Sequence, residues 1–269
     1  MLGKLVKYEW RSTYRMGCLM LFITLMVTFL GWLSFQSPMW RQLRGDDYGL
    51  SFGPLDFLSI IVLLMYVFML VGIVYAIQIY LGVHFYKTMY TDQGYLTHTL
   101  PVDKHQLLAS KILVSGLWML IVNVAVFLSC MVVFGSLIGD LFIWASVWSE
   151  IFPVLDDYFA LNYGFYFVIL ILSTVVGPFM SVTIMFGAIT VGQLFAKARV
   201  LMAILCYLGV CMANGLISSV VQSVLAFSSM GYGTLMDIST NSSLFVQVIA
   251  AVLLYFASYH IITKKLNME

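Results

Sequence analysis

Six long intervals of the sequence contain no Asp, Glu, Lys or Arg. They are residues 16–40, 57–86, 112–139, 158–196, 200–236 and 238–263. Each is longer than the ~20 residues that an α-helix needs to cross the hydrocarbon core of a bilayer. Their apolar residues do not alternate as those of barrel strands do, so helices are the only spanning structure that satisfies the backbone. The pattern predicts an all-α integral membrane protein.

The predicted architecture is one transmembrane domain, 1–269, with six spans. The spans are expected at 16–35, 57–82, 112–139, 164–191, 200–226 and 244–262. Composition agrees, because only 9% of the residues are charged, whereas a soluble domain carries about a quarter.

The charges predict the orientation of the spans. With both termini in the cytoplasm, eleven Lys and Arg residues lie inside, and only Arg41 and Arg44 lie outside. This excess follows the positive-inside rule. The inner set is Lys4, Lys7, Arg11, Arg15, Lys87, Lys104, Lys111, Lys197, Arg199, Lys264 and Lys265.

Two segments have the pattern of interfacial structure. Residues 1–15 place apolar side chains near one face and cations largely on the other, which is typical of a helix in the inner interface. An ordinary basic flank that only sets the topology is the alternative. In the outer loop 140–163, Trp144, Trp148 and Phe152 recur every four residues, as in a half-buried helix at headgroup level.

Catalytic and metal chemistry is not expected. The charge-free spans offer no acid or base, and the four histidines lie at or beyond the inner ends of spans. The four cysteines lie in or beside spans, and no CxxC or Cys/His metal spacing occurs. We therefore predict no catalytic residue, no metal site, no cofactor held by this chain and no nucleic-acid partner.

The fourth span contains Gly177 and Pro178 near its middle. Proline removes one backbone hydrogen bond and kinks a helix. This pair is either a hinge in a moving element or a static bend tolerated by neighbouring helices.

Four neutral polar residues lie within the spans: Gln78, Asn123, Asn214 and Gln222. Side chains of this kind most often form hydrogen bonds between membrane helices. The alternative is that they line a cargo path, since abundant Met and aromatic residues suit walls that repack around varied apolar cargo.

The inner region 83–111 is the longest polar interval on the predicted cytoplasmic side. Asp103 and Gln106 resemble a capping box that opens a helix running into span three. Pro101 prevents a helix from passing straight through. Asp92 can cap a second short helix from Gln93 to about Leu100, so the region is expected to form helix, turn and helix.

Three patches of sequence resemble ABC-2-type permeases, the type V membrane subunits of ABC exporters. The first patch joins Gly94-Tyr95-Leu96 to the run from Thr99 to Lys104, Leu107-Leu108 and Ser110-Lys111. The second runs from Ala188 to Lys197, and the third from Leu5 to Arg11. The size and layout are similar to those of phenol-soluble-modulin exporter permeases of Firmicutes.

The resemblance implies a cytoplasmic coupling helix between spans two and three that docks on a separate cytosolic ABC ATPase subunit. That subunit binds ATP and Mg, and the permease pairs with a second copy of itself or a paralogous permease. The implied location is the bacterial plasma membrane, and the implied cargo is amphipathic peptides. The implied coupling residues are Asp92, Gln93, Gly94, Tyr95, Leu96, Thr97, His98, Thr99 and Leu100.

The energy source is expected outside this chain. Residues Gly82–Thr88 end in Lys-Thr but lack the second glycine of a phosphate-binding loop. No acid lies inside the charge-free spans, which argues against coupling to protons or sodium. The alternative function is a non-transporting immunity, sensor or scaffold subunit whose inner loop binds a cytosolic partner.

Overall fold

The computed structural model describes residues 2–36, 54–91, 94, 103–138, 163–195, 199–228 and 232–264. Within these ranges the chain forms six long α-helices. They are α1 (Leu2–Ser34), α2 (Pro54–Tyr90), α3 (Lys104–Ile138), α4 (Tyr163–Gly192), α5 (Arg199–Ser228) and α6 (Tyr232–Lys264).

Each of the six helices is long and apolar enough to cross a membrane. The prediction of an all-α chain with six helices of spanning length is therefore confirmed. The orientation of the helices and the coupling helix stay predictions, and the outer loop 140–162 lies outside the described residues.

Several helices extend beyond the predicted spans. α2 continues to Tyr90, past the end of the predicted span at 82, and α3 begins at Lys104, before the predicted span starts at 112. Hydropathy predicts only the part of a helix that is apolar enough to lie in lipid. The backbone hydrogen bonds of the helix are internal and can continue into water. The Leu107 N–H donates to the Asp103 carbonyl over 3.1 Å, so α3 starts at the residue that the capping pattern indicated.

α1 and α6 also differ from expectation. α1 is continuous from Leu2 to Ser34, so the expected separate helix 1–15 does not end before the span begins at 16. No proline interrupts this stretch, so nothing in its backbone forces a break. α6 begins at Tyr232, before the predicted span starts at 244, because helical backbone hydrogen bonds can continue through the less apolar residues 232–243.

The chain groups into two compact units. Unit 1 contains Met1–Ser12, Gln78–Leu120 and Leu155–Glu269, and unit 2 contains Thr13–Ile77 and Ile121–Val154.

Unit 2 is held by hydroxyl groups from three helices. Ser129 on α3 lies 2.9 Å from the Tyr66 hydroxyl on α2 and 2.7 Å from the Thr28 hydroxyl on α1. The Tyr66 ring lies against Gly31, where a Cβ would come within 2.7 Å of a ring carbon. The missing side chain at Gly31 thus lets the tyrosine reach Ser129.

Unit 1 is built around the C-terminal half of α4, from Pro178 onward. Every residue from 182 to 188 is buried, as expected for a helix that is apolar on all sides. Glycines permit close approach of the neighbouring helices. The close pairs are Gly82 with Met185, Gly116 with Phe179, Gly187 with Leu254, and Gly192 with Ala203.

The approach of Gly192 to a neighbouring backbone generates a prediction. A Cβ at Gly192 would overlap the backbone of Ala203, which cannot rotate away. We expect Gly192→Ala to cost about 1–3 kcal/mol as overpacking does, and to lower the midpoint of thermal unfolding in mild detergent. Gly209→Ala is the control, because nothing lies within 4 Å of its Cβ position; its midpoint should not fall. Equal midpoints would contradict the α4–α5 contact.

Candidate functional site

A buried ionic cluster joins three helices within unit 1. Lys111 of α3 donates from Nζ to both carboxylate oxygens of Glu9 on α1, over 3.1 and 3.2 Å, and to Thr88 Oγ1 on α2 over 2.8 Å. His84 of α2 lies with Nε2 3.1 Å from Glu9 Oε1. Because an ionised carboxylate only accepts, the proton of this bond belongs to Nε2.

The cluster satisfies its charges internally. The side chains of Lys111 and Glu9 are only 4% and 16% exposed. An ammonium group has three N–H donors, and here each has an acceptor. The Thr88 hydroxyl in turn donates to the His84 carbonyl over 2.9 Å. A buried ion pair survives only with such complete hydrogen bonding, since desolvation of each ion costs several kcal/mol.

Aromatic rings pack beside the charges. Trp10, the neighbour of Glu9, stacks on Trp118 of α3 with ring centroids 4.6 Å apart. Tyr80 stacks on His84 one turn away on α2. The Trp10–Trp118 stack joins the same two helices as the Glu9–Lys111 pair, so α1 and α3 are tied by packing and by charge.

The helices on either side of residues 92–102 also contact other helices: α2 contacts α4, and α3 contacts α6. At the end of α2, the Tyr90 hydroxyl donates to Thr190 Oγ1 over 2.8 Å, and Phe85 stacks on Phe186 at 3.9 Å. At the start of α3, Lys104 Nζ donates to the Ile262 carbonyl over 3.1 Å. This last bond caps a carbonyl in the final turn of α6.

His105 adds a further contact between α3 and α6. Its ring lies in hydrogen-bonding distance of the Tyr255 hydroxyl, 2.9 Å from Nδ1, and packs beside Tyr259. Contacts among the described residues therefore connect the start of α1, the end of α2, the start of α3 and the ends of α4 and α6.

Of the predicted coupling residues, Gly94 is the one that the structure describes. It is buried, and its N–H donates to the Thr91 carbonyl over 2.7 Å. A side chain here would overlap the Met89 carbonyl, so the turn after α2 requires glycine. The other eight lie outside the described residues: Asp92, Gln93, Tyr95, Leu96, Thr97, His98, Thr99 and Leu100.

The candidate hinge lies at a change of environment within α4. Pro178 is buried inside the continuous helix, and the Ser181 hydroxyl donates to its carbonyl over 2.9 Å. A Cβ on Gly177 would meet nothing within 4 Å. Before the proline in the sequence, Ile171, Leu172 and Val175 are exposed. Hinge motion at Gly177 and Pro178 stays a prediction.

Three of the four candidate cargo-path residues belong to unit 1. Gln78 on α2 donates from Nε2 to the Tyr207 hydroxyl on α5 over 2.8 Å. Asn214 and Gln222 lie on α5, seven and fifteen residues after Tyr207, which places all three near one side of that helix. Asn123 belongs to unit 2. The Gln78–Tyr207 bond is an interhelical bond of the kind the sequence indicated.

Asn214 differs from Gln78 in its environment. Its Oδ1 atom is buried and accepts no hydrogen bond from the described residues. A buried carbonyl oxygen without a donor is costly, so this atom could accept from an added ligand or partner. A role in a cargo path stays a prediction for all four residues.

No local pattern in the sequence connects the members of the ionic cluster. Glu9, His84 and Lys111 lie just outside the predicted spans, and the sequence predicts no contact among them. One signal was present: Glu9 is the only acid among residues 1–15, and Lys111 immediately precedes a charge-free interval. An isolated acid among cations, and a lone cation at the start of a span, are each candidates for a buried partner.

No family model, curated protein or solved structure matches the chain. Among the described residues, no group of three or more His, Cys, Asp or Glu side chains could hold a metal ion. The site is thus described by its own geometry, which is a buried ionic and hydrogen-bonded junction between helices.

The ionic cluster generates a prediction about charge. Lys111→Met leaves the Glu9 carboxylate buried beside apolar side chains, and removing one partner of a buried pair typically costs about 3–5 kcal/mol. We expect a large fall in the thermal unfolding midpoint in mild detergent. The double variant Glu9→Leu/Lys111→Met removes both charges and should recover a substantial part of the loss. Additive effects of the two substitutions would contradict a direct ion pair.

The polar residues of α5 give a second prediction, with opposite directions at two positions. Tyr207→Phe removes the hydrogen bond to Gln78 and should lower stability by about 0.5–2 kcal/mol. Asn214→Leu removes a buried carbonyl that has no donor within the described chain, so stability should be unchanged or higher. Both are read as unfolding midpoints of the purified protein. A marked loss with Asn214→Leu would show that the amide has a partner.

Proposed function

We propose that the chain is the permease subunit of an ATP-driven ABC exporter that moves amphipathic peptides, or similar membrane-active molecules, out of a bacterial cell. ATP and Mg bind to a separate cytosolic ATPase subunit. Residues 92–100 form the coupling helix that contacts it. The permease works as a pair with a second copy or a paralogous chain.

The observation that supports this proposal most directly is the ionic cluster at the ends of the helices flanking 92–102. A push on a short connecting segment moves a membrane helix only if the helix end does not deform first. Lys111 binds Glu9 and Thr88 next to this connection, and Lys104 and Tyr90 tie its two sides to α6 and α4. A displacement applied to the segment is therefore shared among five helices.

The composition of the segment supports a docking role. Residues Tyr95, Leu96, Thr97 and Thr99 are neutral, and His98 is the one side chain among them that can carry a positive charge. A connector that only faces water is more often charged. A neutral, partly apolar helix suits a groove on another protein, because its burial there does not desolvate charges.

The arrangement of α4 is compatible with movement of the spans. Its half after Pro178 is enclosed by neighbouring helices, whereas Ile171, Leu172 and Val175, which precede the proline, are exposed. In the proposed mechanism, ATPase closure moves the inner junction as one body, and α4 bends at Gly177 and Pro178. The flexible apolar walls of the spans then repack around the cargo.

Co-purification from the native host in mild detergent tests the proposal. We expect a nucleotide-binding subunit in stoichiometric amount, with an ATPase activity that responds to added amphipathic peptides. If the chain remains alone under several gentle conditions, the exporter proposal is wrong. A non-transporting scaffold, sensor or immunity role would then be the better account.

A pair of charge substitutions in the coupling segment gives a sharper prediction. Tyr95→Asp/His98→Asp adds two carboxylates to the proposed docking face, and burying them against the ATPase is costly. We expect loss of the complex, or ATP hydrolysis without peptide transport, in proteoliposomes. The unfolding midpoint should be unchanged.

The matched control is His260→Asp/Thr263→Asp. It adds the same two charges with the same spacing at exposed positions of α6. This variant should retain coupled transport. Unchanged coupling in Tyr95→Asp/His98→Asp, or equal losses in both variants, would remove residues 92–100 from the coupling role.

A further inference from the structure

The charged side chains exposed near the N-terminus of α1 are all cations. Lys4, Lys7 and Arg11 are all exposed. Their spacing of three and four residues places them on one side of the helix. Arg15, four residues further along the same helix, is exposed as well. We call these four residues the basic stripe.

No acidic side chain balances the basic stripe within the described residues. Glu9 is the only acid of this segment, and it faces the opposite side, where it binds Lys111 and His84. Thr13, four residues after Glu9, is buried on the same side of α1. The fold therefore withdraws the one negative charge from the surface and leaves four positive charges over about 16 Å of helix.

The basic stripe continues in register into the lipid-facing side of α1. Positions 15, 19, 22, 26 and 29 follow the same three-and-four spacing as 4, 7, 11 and 15. Leu19, Phe22, Met26 and Phe29 are large, apolar and exposed. A lipid lying along this face would meet apolar side chains with its acyl chains and cations with its headgroup.

Tyrosines flank the cations. Tyr8 is 74% exposed and Tyr14 is 52% exposed. Tyrosine is enriched at headgroup level, where its ring meets the acyl boundary and its hydroxyl meets water. Arg11 lies about 6 Å and Lys7 about 12 Å beyond Arg15 along the helix. Long side chains at these depths reach the phosphates of the same leaflet.

We propose that the basic stripe binds the anionic headgroups of phospholipids in the leaflet that surrounds the start of α1. An acidic surface of a soluble protein would match the charges as well. It would not explain why the cations and the exposed apolar residues lie on the same side of α1. A phospholipid explains both, because its headgroup contacts the cations and its acyl chains contact the apolar residues. The inference does not depend on the proposed exporter function.

The test uses the purified full-length chain in a neutral detergent, titrated with short-chain phosphatidylglycerol or phosphatidylcholine. Native mass spectrometry measures the fraction of protein with bound lipid. We expect tighter binding of phosphatidylglycerol, weakened by raising the salt concentration because the cations are exposed. Lys7→Gln/Arg11→Gln should lower the phosphatidylglycerol affinity by about fivefold per charge removed and leave phosphatidylcholine binding unchanged.

Lys87→Gln/Arg199→Gln is the matched control, because it also removes two exposed cations, from α2 and α5. It should retain the preference for phosphatidylglycerol, and Lys7→Arg should retain it too. The proposal is overturned if the two double variants behave alike, or if the two lipids bind equally at low salt. It is also overturned if Lys7→Gln/Arg11→Gln keeps its lipid affinity but loses a co-purifying acidic protein.

Discussion

The ion pair between Glu9 and Lys111 determines how the start of α1 meets the start of α3. Apolar contacts alone define such a meeting poorly in a bilayer, because lipid tails are as apolar as leucine. Contacts of 3.1 and 3.2 Å would be lost if either helix moved by one turn, about 5.4 Å. The separated charges would then be buried alone, so the pair selects one register among many of similar packing energy.

The same pair organises what surrounds it. Lys111 also bonds Thr88, and Glu9 also bonds His84, so α2 is included in the junction. Glu9 faces α2 and α3, where it binds His84 and Lys111. The charged residues exposed on the opposite side of α1 are therefore all cations. One buried carboxylate thus has two effects, on the packing of three helices and on the charge that α1 presents to its surroundings.

Sequence reasoning predicted the features that depend on composition along the chain. Charge-free intervals identified the six helices, and Asp103 correctly indicated the start of α3. The helices are longer than the predicted spans: α2 continues past 82 to Tyr90, and α6 begins at Tyr232, before 244. Hydropathy reports suitability for lipid, and helical hydrogen bonds continue beyond it.

Contacts between residues that are far apart in the sequence could not be predicted from it. Glu9 and Lys111 are 102 residues apart, and Gln78 and Tyr207 are 129 apart. No local pattern connects either pair, because each depends on which helices become neighbours. The sequence did indicate that Gln78 would bond another helix, since a polar group inside a span needs a partner, but not which helix would supply it.

The enclosure of α4 has a consequence for the biogenesis of the chain. The half of α4 that follows Pro178 packs against α2, α3, α5 and α6. The contacting residues of these helices include Gly82, Gly116, Ala203 and Leu254. Two of these neighbours, α5 and α6, are synthesised after α4, so the sides that later face them first meet lipid or the insertion machinery. Gly187 and Gly192 must suit both environments in turn. A polar substitution on those sides is therefore disfavoured twice, once during insertion and once in the assembled bundle.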